Sequence, residues 1–292
     1  MNCFTSVLHW LDRYLGRGSY VWIEKLLRSP RQYTQITYGD LIAEALKPGD
    51  RWLDAGSGHQ ILETQSSTPE ETVLRKAGFA VGCDIDSSTL RKHRSLSNCV
   101  SCRLENLPFQ CSSFDLITLN NVAEHLMEPT KVLAEFTRVL SPIGKLIIHT
   151  PNIESYEVRF TRLLEPLLPR RLVLRIIRFL DYREANDVFP TYYRANTRER
   201  LLDLCRSAGL AEESLLYLPA RPLFFFIAPL CFIELLVDRF LLWLGCIELV
   251  AAVIVGTYSP SPQKHLVRRS EAESTTLSGF PKEDGLRGST GR

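Results

Sequence analysis

The run Leu53-Asp54-Ala55-Gly56-Ser57-Gly58 puts a carboxylate just ahead of a glycine turn. Glycine has no Cβ, so such a turn can bend sharply and bring its backbone against a ligand. Arg51 to Ala55 reads as a short buried strand leading into it. Open α/β sheets bind ligands at the carboxyl ends of their strands, where Asp54 then lies. A second acid, Asp84, follows the next apolar run, Ala80 to Cys83. Its spacing suits a carboxylate that accepts hydrogen bonds from two ribose hydroxyls, because an ionised acid only accepts and can engage both. A structural turn, with Asp84 and Asp86 starting a helix, would use the same residues, so the turn alone decides nothing. A nicotinamide-dinucleotide site would show the fuller G-x-G-x-x-G pattern opening straight into a helix. Here Gly58 leads into His59-Gln60-Ile61. The better helix start waits for Thr68-Pro69-Glu70-Glu71, with Thr68 as cap, Pro69 at the first helical position and Glu71 closing a capping box.

The elements that must carry these residues alternate at short intervals. Strand signals fall at Arg51 to Ala55, Ala80 to Cys83, Cys99 to Leu104, Phe114 to Leu119 and Lys145 to Thr150. Helix signals lie between them, the clearest at Pro129 to Leu140, and Ser141-Pro142-Ile143-Gly144 reads as a turn. That rhythm predicts an α/β fold: a Rossmann-like, doubly wound sheet covered on both faces. Thr197 to Ala208 adds a helix stopped by Gly209, and Ala211 to Leu218 returns to the sheet edge. Ahead of the sheet, helices are expected within residues 1 to 35 and at Thr37 to Leu46.

Taken together, these segments resemble the Methyltransferase type 11 branch of the class I S-adenosylmethionine-dependent methyltransferases. Six stretches carry the likeness: Leu53 to Gly58, Val81 to Asp86, Glu105 to Phe109, Ser113 to Ile117, Val122 to Leu126 and Arg138 to Leu146. The resemblance implies a mostly parallel seven-stranded sheet, S-adenosyl-L-methionine as cofactor, and methylation as the activity. It implies that Asp54, Gly56 and Gly58 contact the methionine portion. Asp84 would hold the ribose, Ile85 and Leu104 would flank the adenine, and Asn120 and Asn121 would sit near the cofactor's amino acid end. Two positions depart from the family pattern. Gln60 stands where a third glycine is usual, and Arg103 stands where an acid often lies beside the adenine. Those departures keep a second reading open, a non-catalytic membrane-associated binding protein with a degenerate methyltransferase fold.

A sulfonium methyl is already electrophilic, so a transferase can work by aligning a nucleophile behind it and excluding water. A protein base is needed only where the acceptor must lose a proton first. His125 is the candidate base, set against a structural role in a local helix start. Tyr193, with Tyr192 and Arg194, precedes a helix that should return to the core and can contact substrate or form a lid.

The rest of the chain bears on location. Its 292 residues suffice for one large domain with additions, and a net charge of +2 argues against nucleic acid as partner. Eight cysteines, with one C-x-x-C pair at Cys99 and Cys102 and no second pair at zinc-like spacing, read as reduced thiols. The N-terminus does not read as a signal peptide, its apolar run being broken by His9, Asp12 and Arg13. Arg159 to Arg183 holds seven arginines and no lysine, with Arg171, Arg175 and Arg178 on one helical face. That pattern suits either an anionic membrane surface or a solvated cap over the site. Leu223 to Val237 and Phe240 to Gly256 are apolar apart from Glu234 and Glu248, and too short for clean spans. The expected layout is N-terminal helices at 1–35 and a methyltransferase domain at 36–218 with a helical insertion at about 152–191. A hydrophobic, helical, membrane-associated region at 219–258 and a disordered tail at 259–292 follow. The expected substrate is a small molecule or lipid, met at the cytoplasmic face of a membrane by peripheral or hairpin anchoring; a cytoplasmic protein is the alternative.

Overall fold

The structure, a computed structural model, describes residues 34–62, 69–164, 189–220, 222–224 and 227–261. The expected N-terminal helices at 1–33, the Thr68 cap, the face of Arg171, Arg175 and Arg178, and the tail beyond 261 lie outside them.

Helix α1 (Thr34–Ala45) enters the sheet at β1 (Arg51–Ala55). Then come α2 (Glu70–Lys76), β2 (Phe79–Asp84), α3 (Ser87–Leu90) and β3 (Cys99–Ser101). Next are β4 (Phe114–Asn120), a 3-10 turn at Ala123–His125, α4 (Pro129–Val139), β5 (Leu140–Pro151) and α5 (Tyr156–Leu164). The chain closes with α6 (Arg198–Ala208), β6 (Leu210–Leu218), α7 (Ala228–Trp243), α8 (Ile247–Val250) and β7 (Val253–Pro260). The seven strands form one sheet in the order β3-β2-β1-β4-β5-β7-β6. Neighbours from β3 to β5 pair parallel, while β7 runs antiparallel to both β5 and β6. The expected doubly wound, mostly parallel, seven-stranded architecture is the one found.

Alternation along each strand divides the core. Leu53 and Ala55 face one side, with Ile117, Leu119, Leu146 and the α4 residues Val132, Leu133 and Phe136. Trp52 faces the other, under Tyr38, Ile42 and Leu46 from α1 and its end. Burying a side chain such as Phe136 is worth about 1.5–3 kcal/mol, so α4 is held chiefly by its apolar stripe. Local chemistry sets the ends of α6: the Thr197 hydroxyl accepts from the Arg200 amide at 3.2 Å, and Gly209 takes φ +86°.

The structure corrects several boundaries. The apolar region 219–258 is not a helical hairpin. Its first half contains α7, but Val253–Pro260 is the buried strand β7, inserted between β5 and β6. A short apolar run covered on both faces reads alike as strand or helix, and the pairing partner decides. The sheet therefore ends at Pro260, beyond both the 218 and the 259 boundaries. Ser141 to Gly144 lies within β5 across a register shift, β3 stops at Ser101, and Pro69 is the cap of α2. Among the described residues, no helix is long and apolar enough to cross a membrane.

Candidate functional site: two acids and a glycine turn at the sheet edge

Gly56 and Gly58 both adopt positive φ, +72° and +53°, which a residue with a Cβ rarely takes. The turn is docked on the end of β2: the Gly56 and Ser57 amides donate to the Cys83 carbonyl at 2.7 and 3.0 Å. A Cβ at Gly56 would overlap the Val122 side chain, whereas one at Gly58 would meet only Thr89, at 4.0 Å. Gln60, the first departure, is absent from the positive-φ residues. No glycine is needed there. Its amide donates to Ser57 and its side-chain oxygen accepts from Arg94 at 2.9 Å.

Asp84 and Asp86 divide their labour. Asp86 caps α3, accepting from the Ser88 amide at 2.8 Å and the Thr89 hydroxyl at 2.7 Å. Those Ser88 and Thr89 bonds hold its carboxyl well below the usual range. Asp84 does no capping. Its Oδ2 accepts from the Gly58 amide at 3.1 Å and its Oδ1 from the Asp86 amide at 2.9 Å. A carboxylate offers about four acceptor positions, so capacity for two hydroxyl donors remains. Ile85 beside it is 59% exposed, an apolar shelf at the strand end. Leu104 is half-buried against the core. Arg103, the second departure, pairs outward with Glu105 at 3.5 Å. A carboxylate is thus present on this stretch, two residues beyond the expected one.

Asp54 sits lower, at the heart of the α1 face. Its Oδ1 accepts from the Thr118 hydroxyl at 2.6 Å, and Thr118 accepts from the Trp52 indole at 2.8 Å. Burial pushes the Asp54 carboxyl up to about 7; Thr118 opposes that, and Glu70 and Asp84 add to it. The Tyr38 hydroxyl is buried in the same cluster, its pKa raised first by burial and then by Asp54. Asp54 is therefore poised near neutrality, and a cation placed beside it would favour the ionised form.

At the end of β4, Asn120 makes a reciprocal amide pair with Gln35 of α1, at 3.0 and 3.1 Å. Asn121 takes φ +52°, and its amide donates to the His149 carbonyl at 2.9 Å. The sequence singled out both asparagines, but their α1 and β5 partners lie 85 and 28 positions away, and no local pattern announces them. The same holds for Trp52, Tyr38 and Thr118 around Asp54.

The structure brings His125 and Tyr193 onto one framework. The Glu124 carbonyl accepts from the Tyr192 and Tyr193 amides at 2.7 and 3.1 Å, and Thr150 donates to its buried carboxylate at 3.2 Å. His125 Nδ1 lies 2.9 Å from the Pro190 carbonyl, which can only accept, so that nitrogen carries the proton. Nε2 lies 3.9 Å from Glu124 Oε1. The His125 and Phe189 rings meet edge-on at 6.0 Å, and Phe189, Tyr192 and Met127 form an exposed rim. Tyr193 holds φ +51°, costly for an aromatic residue, with the Arg162 guanidinium 4.7 Å from its ring centre. His125 thus pins the 189–193 segment. A cavity of about 550 Å³ elsewhere, lined by Arg198, Arg206 and Glu212, shares no residue with this site.

Comparison with known proteins agrees with this geometry. Residues 53–148 match the family described as Methyltransferase domain. A ubiquinone biosynthesis O-methyltransferase from Hahella chejuensis is 28% identical over 186 residues, 61% of this chain and 73% of its own. A demethylmenaquinone methyltransferase from Corynebacterium glutamicum is 34% identical over 131 residues, 43% of this chain. The match spans about half of that relative, 53%. In fold, the chain resembles one in the complex between the Haloferax volcanii Trm112 methyltransferase activator and a protein assigned as a methyltransferase. That likeness has a TM-score of 0.50 at 14% identity, covering 86% of this chain and 97% of the other.

Proposed function

The chain carries a class I S-adenosylmethionine-dependent methyltransferase domain, and from that premise we propose that it methylates a small or lipid-linked acceptor at a membrane surface. The observation that carries this reading is the Asp84 carboxylate, fixed by the Gly58 and Asp86 amides with acceptor capacity to spare. Asp84 would take the ribose hydroxyls and Ile85 one face of the adenine. Asp54 would lie toward the cationic methionine portion, and Asn120 and Asn121 at its amino acid end.

When bound, S-adenosyl-L-methionine supplies an electrophilic methyl whose bonding pair stays on sulfur as the acceptor's own pair forms the new bond. The protein's work is then alignment and exclusion of water. His125 holds the 189–193 segment over the mouth, and in the neutral ring its Nε2 would be the nitrogen to receive a proton from a hydroxyl acceptor. The names of the relatives, ubiquinone biosynthesis O-methyltransferase and demethylmenaquinone methyltransferase, favour a quinone-pathway acceptor. The exposed rings of Phe189 and Tyr192 suit a flat ring. Action at the cytoplasmic face of a membrane fits such an acceptor and the arginine-rich, apolar sequence of 159–183.

The alternative, a degenerate binding protein, loses its motive at both departures: Gln60 needs no positive φ, and Arg103 is turned to Glu105. The test is an untargeted methylation assay on total lipid and metabolite extracts with isotope-labelled donor, comparing native protein with Asp54→Ala. Label in a product that the variant does not make is expected. A native protein that binds donor yet labels nothing contradicts the proposal.

A further inference from the structure

Helix α7 is inside out. Cys231, Glu234, Leu235 and Asp238 share its buried face, while Leu230, Ile233, Leu236, Val237, Phe240, Trp243 and Leu244 are 40–79% exposed on the opposite one. The two acids are consumed inward. The Tyr156 hydroxyl of α5 lies 2.9 Å from both Glu234 Oε1 and Asp238 Oδ1, and Glu234 also accepts from the Leu223 and Phe224 amides at 2.9 Å. A helix that turns its acids to the protein and its aromatics to the outside has its amphipathicity set for an apolar environment.

We propose that this face of α7 is the protein's docking surface for an anionic lipid bilayer, lying in the plane of the interface. The inference rests on the membrane part of the function proposed above. Sixteen helical residues span about 24 Å, short of the roughly 30 Å hydrocarbon core, so the helix suits lying along the interface rather than crossing it. Phe240 and Trp243 stack at 6.1 Å at one end, where aromatic rings favour the head-group boundary. An apolar groove of about 320 Å³, lined by Tyr156, Phe224, Leu230, Ile233, Val237 and Leu241, opens on the same face and can seat an acyl chain. The border is basic: Arg159 and Arg162 are exposed on the adjoining α5. Two copies packed face to face would bring such borders together, whereas anionic head groups neutralise them. The surface also stands next to the site, because α5 bonds α7 through Tyr156 and the Tyr193 ring through Arg162. An acceptor held in the bilayer would reach the mouth across one helix.

The test is sedimentation of the full-length chain with phosphatidylcholine vesicles, with and without about 30% phosphatidylglycerol to charge the surface. Native protein should bind the anionic vesicles, and Phe240→Glu/Trp243→Glu should reduce binding at least tenfold while keeping native melting and donor binding. Brominated lipid should quench native fluorescence and spare Trp243→Phe. Undiminished binding by the double variant, or no binding by native protein, overturns the proposal, as does self-association through this face in place of lipid binding. Donor binding and methyl transfer to detergent-dispersed extract are read in parallel. Transfer without vesicle binding sinks the docking surface alone, and vesicle binding without donor binding sinks the enzyme reading alone.

Discussion

Replacing Asp54 by asparagine should stabilise the fold at alkaline pH while weakening donor binding. In the folded chain burial lifts the Asp54 carboxyl from 3.8 to about 7. Below about pH 4 the acid is protonated in both states and burial of charge costs nothing. Between 4 and 7 the folded state holds a proton that the unfolded state has lost, so stability falls as pH rises. Above 7 the full cost stands. At about 1.4 kcal/mol per pH unit, the interval gives about 4 kcal/mol. The substituted amide cannot ionise, yet its carbonyl can still accept from Thr118, so the local bond survives. Urea unfolding of both proteins from pH 4 to 8 should show the variant's advantage growing from near zero to about 4 kcal/mol. A difference independent of pH, or a variant less stable at pH 8, would refute the reasoning.

Three further outcomes follow. Donor affinity, measured by equilibrium dialysis, should rise close to tenfold per pH unit up to about 7 and level off above it, because a cation prefers the ionised Asp54. Gly56→Ala should cost about 2 kcal/mol or more in urea unfolding, since Ala must hold φ +72° and also overlap Val122. Adding Val122→Ala should recover only the overlap. His125→Asn keeps a donor near the Pro190 carbonyl in place of Nδ1. If positioning is its role, kcat stays within about tenfold and its pH profile is unchanged; loss of about 10²–10⁴ with the acidic limb abolished would make His125 the base.

The strands β1, β2 and β4 and both ends of α6 were legible because local signals specify them: apolar runs, a hydroxyl cap, a stop glycine. Strand β7 was not. Val253 to Tyr258 is apolar in sequence, and only its pairing with β5 and β6 makes it a strand instead of a greasy helix. Glu234 reads in sequence as an interruption of an apolar run, and the fold uses it with Asp238 to bind α7 onto Tyr156. The site shows the same division. Asp54, Gly56, Gly58 and Asp84 stand out through residue type and spacing. The Thr118 hydroxyl that holds Asp54 lies 64 positions away, and strand register, which no local pattern records, brings it there.

The central claim is that the glycine turn and Asp84 form a working donor site. Equilibrium dialysis of isotope-labelled S-adenosylmethionine against native protein and Asp84→Asn tests it most directly, with melting curves as the control for folding. The account predicts saturable binding of one donor per native chain and at least tenfold weaker binding to a folded Asp84→Asn. Equal affinity in the two proteins, or no binding to folded native protein, would contradict it.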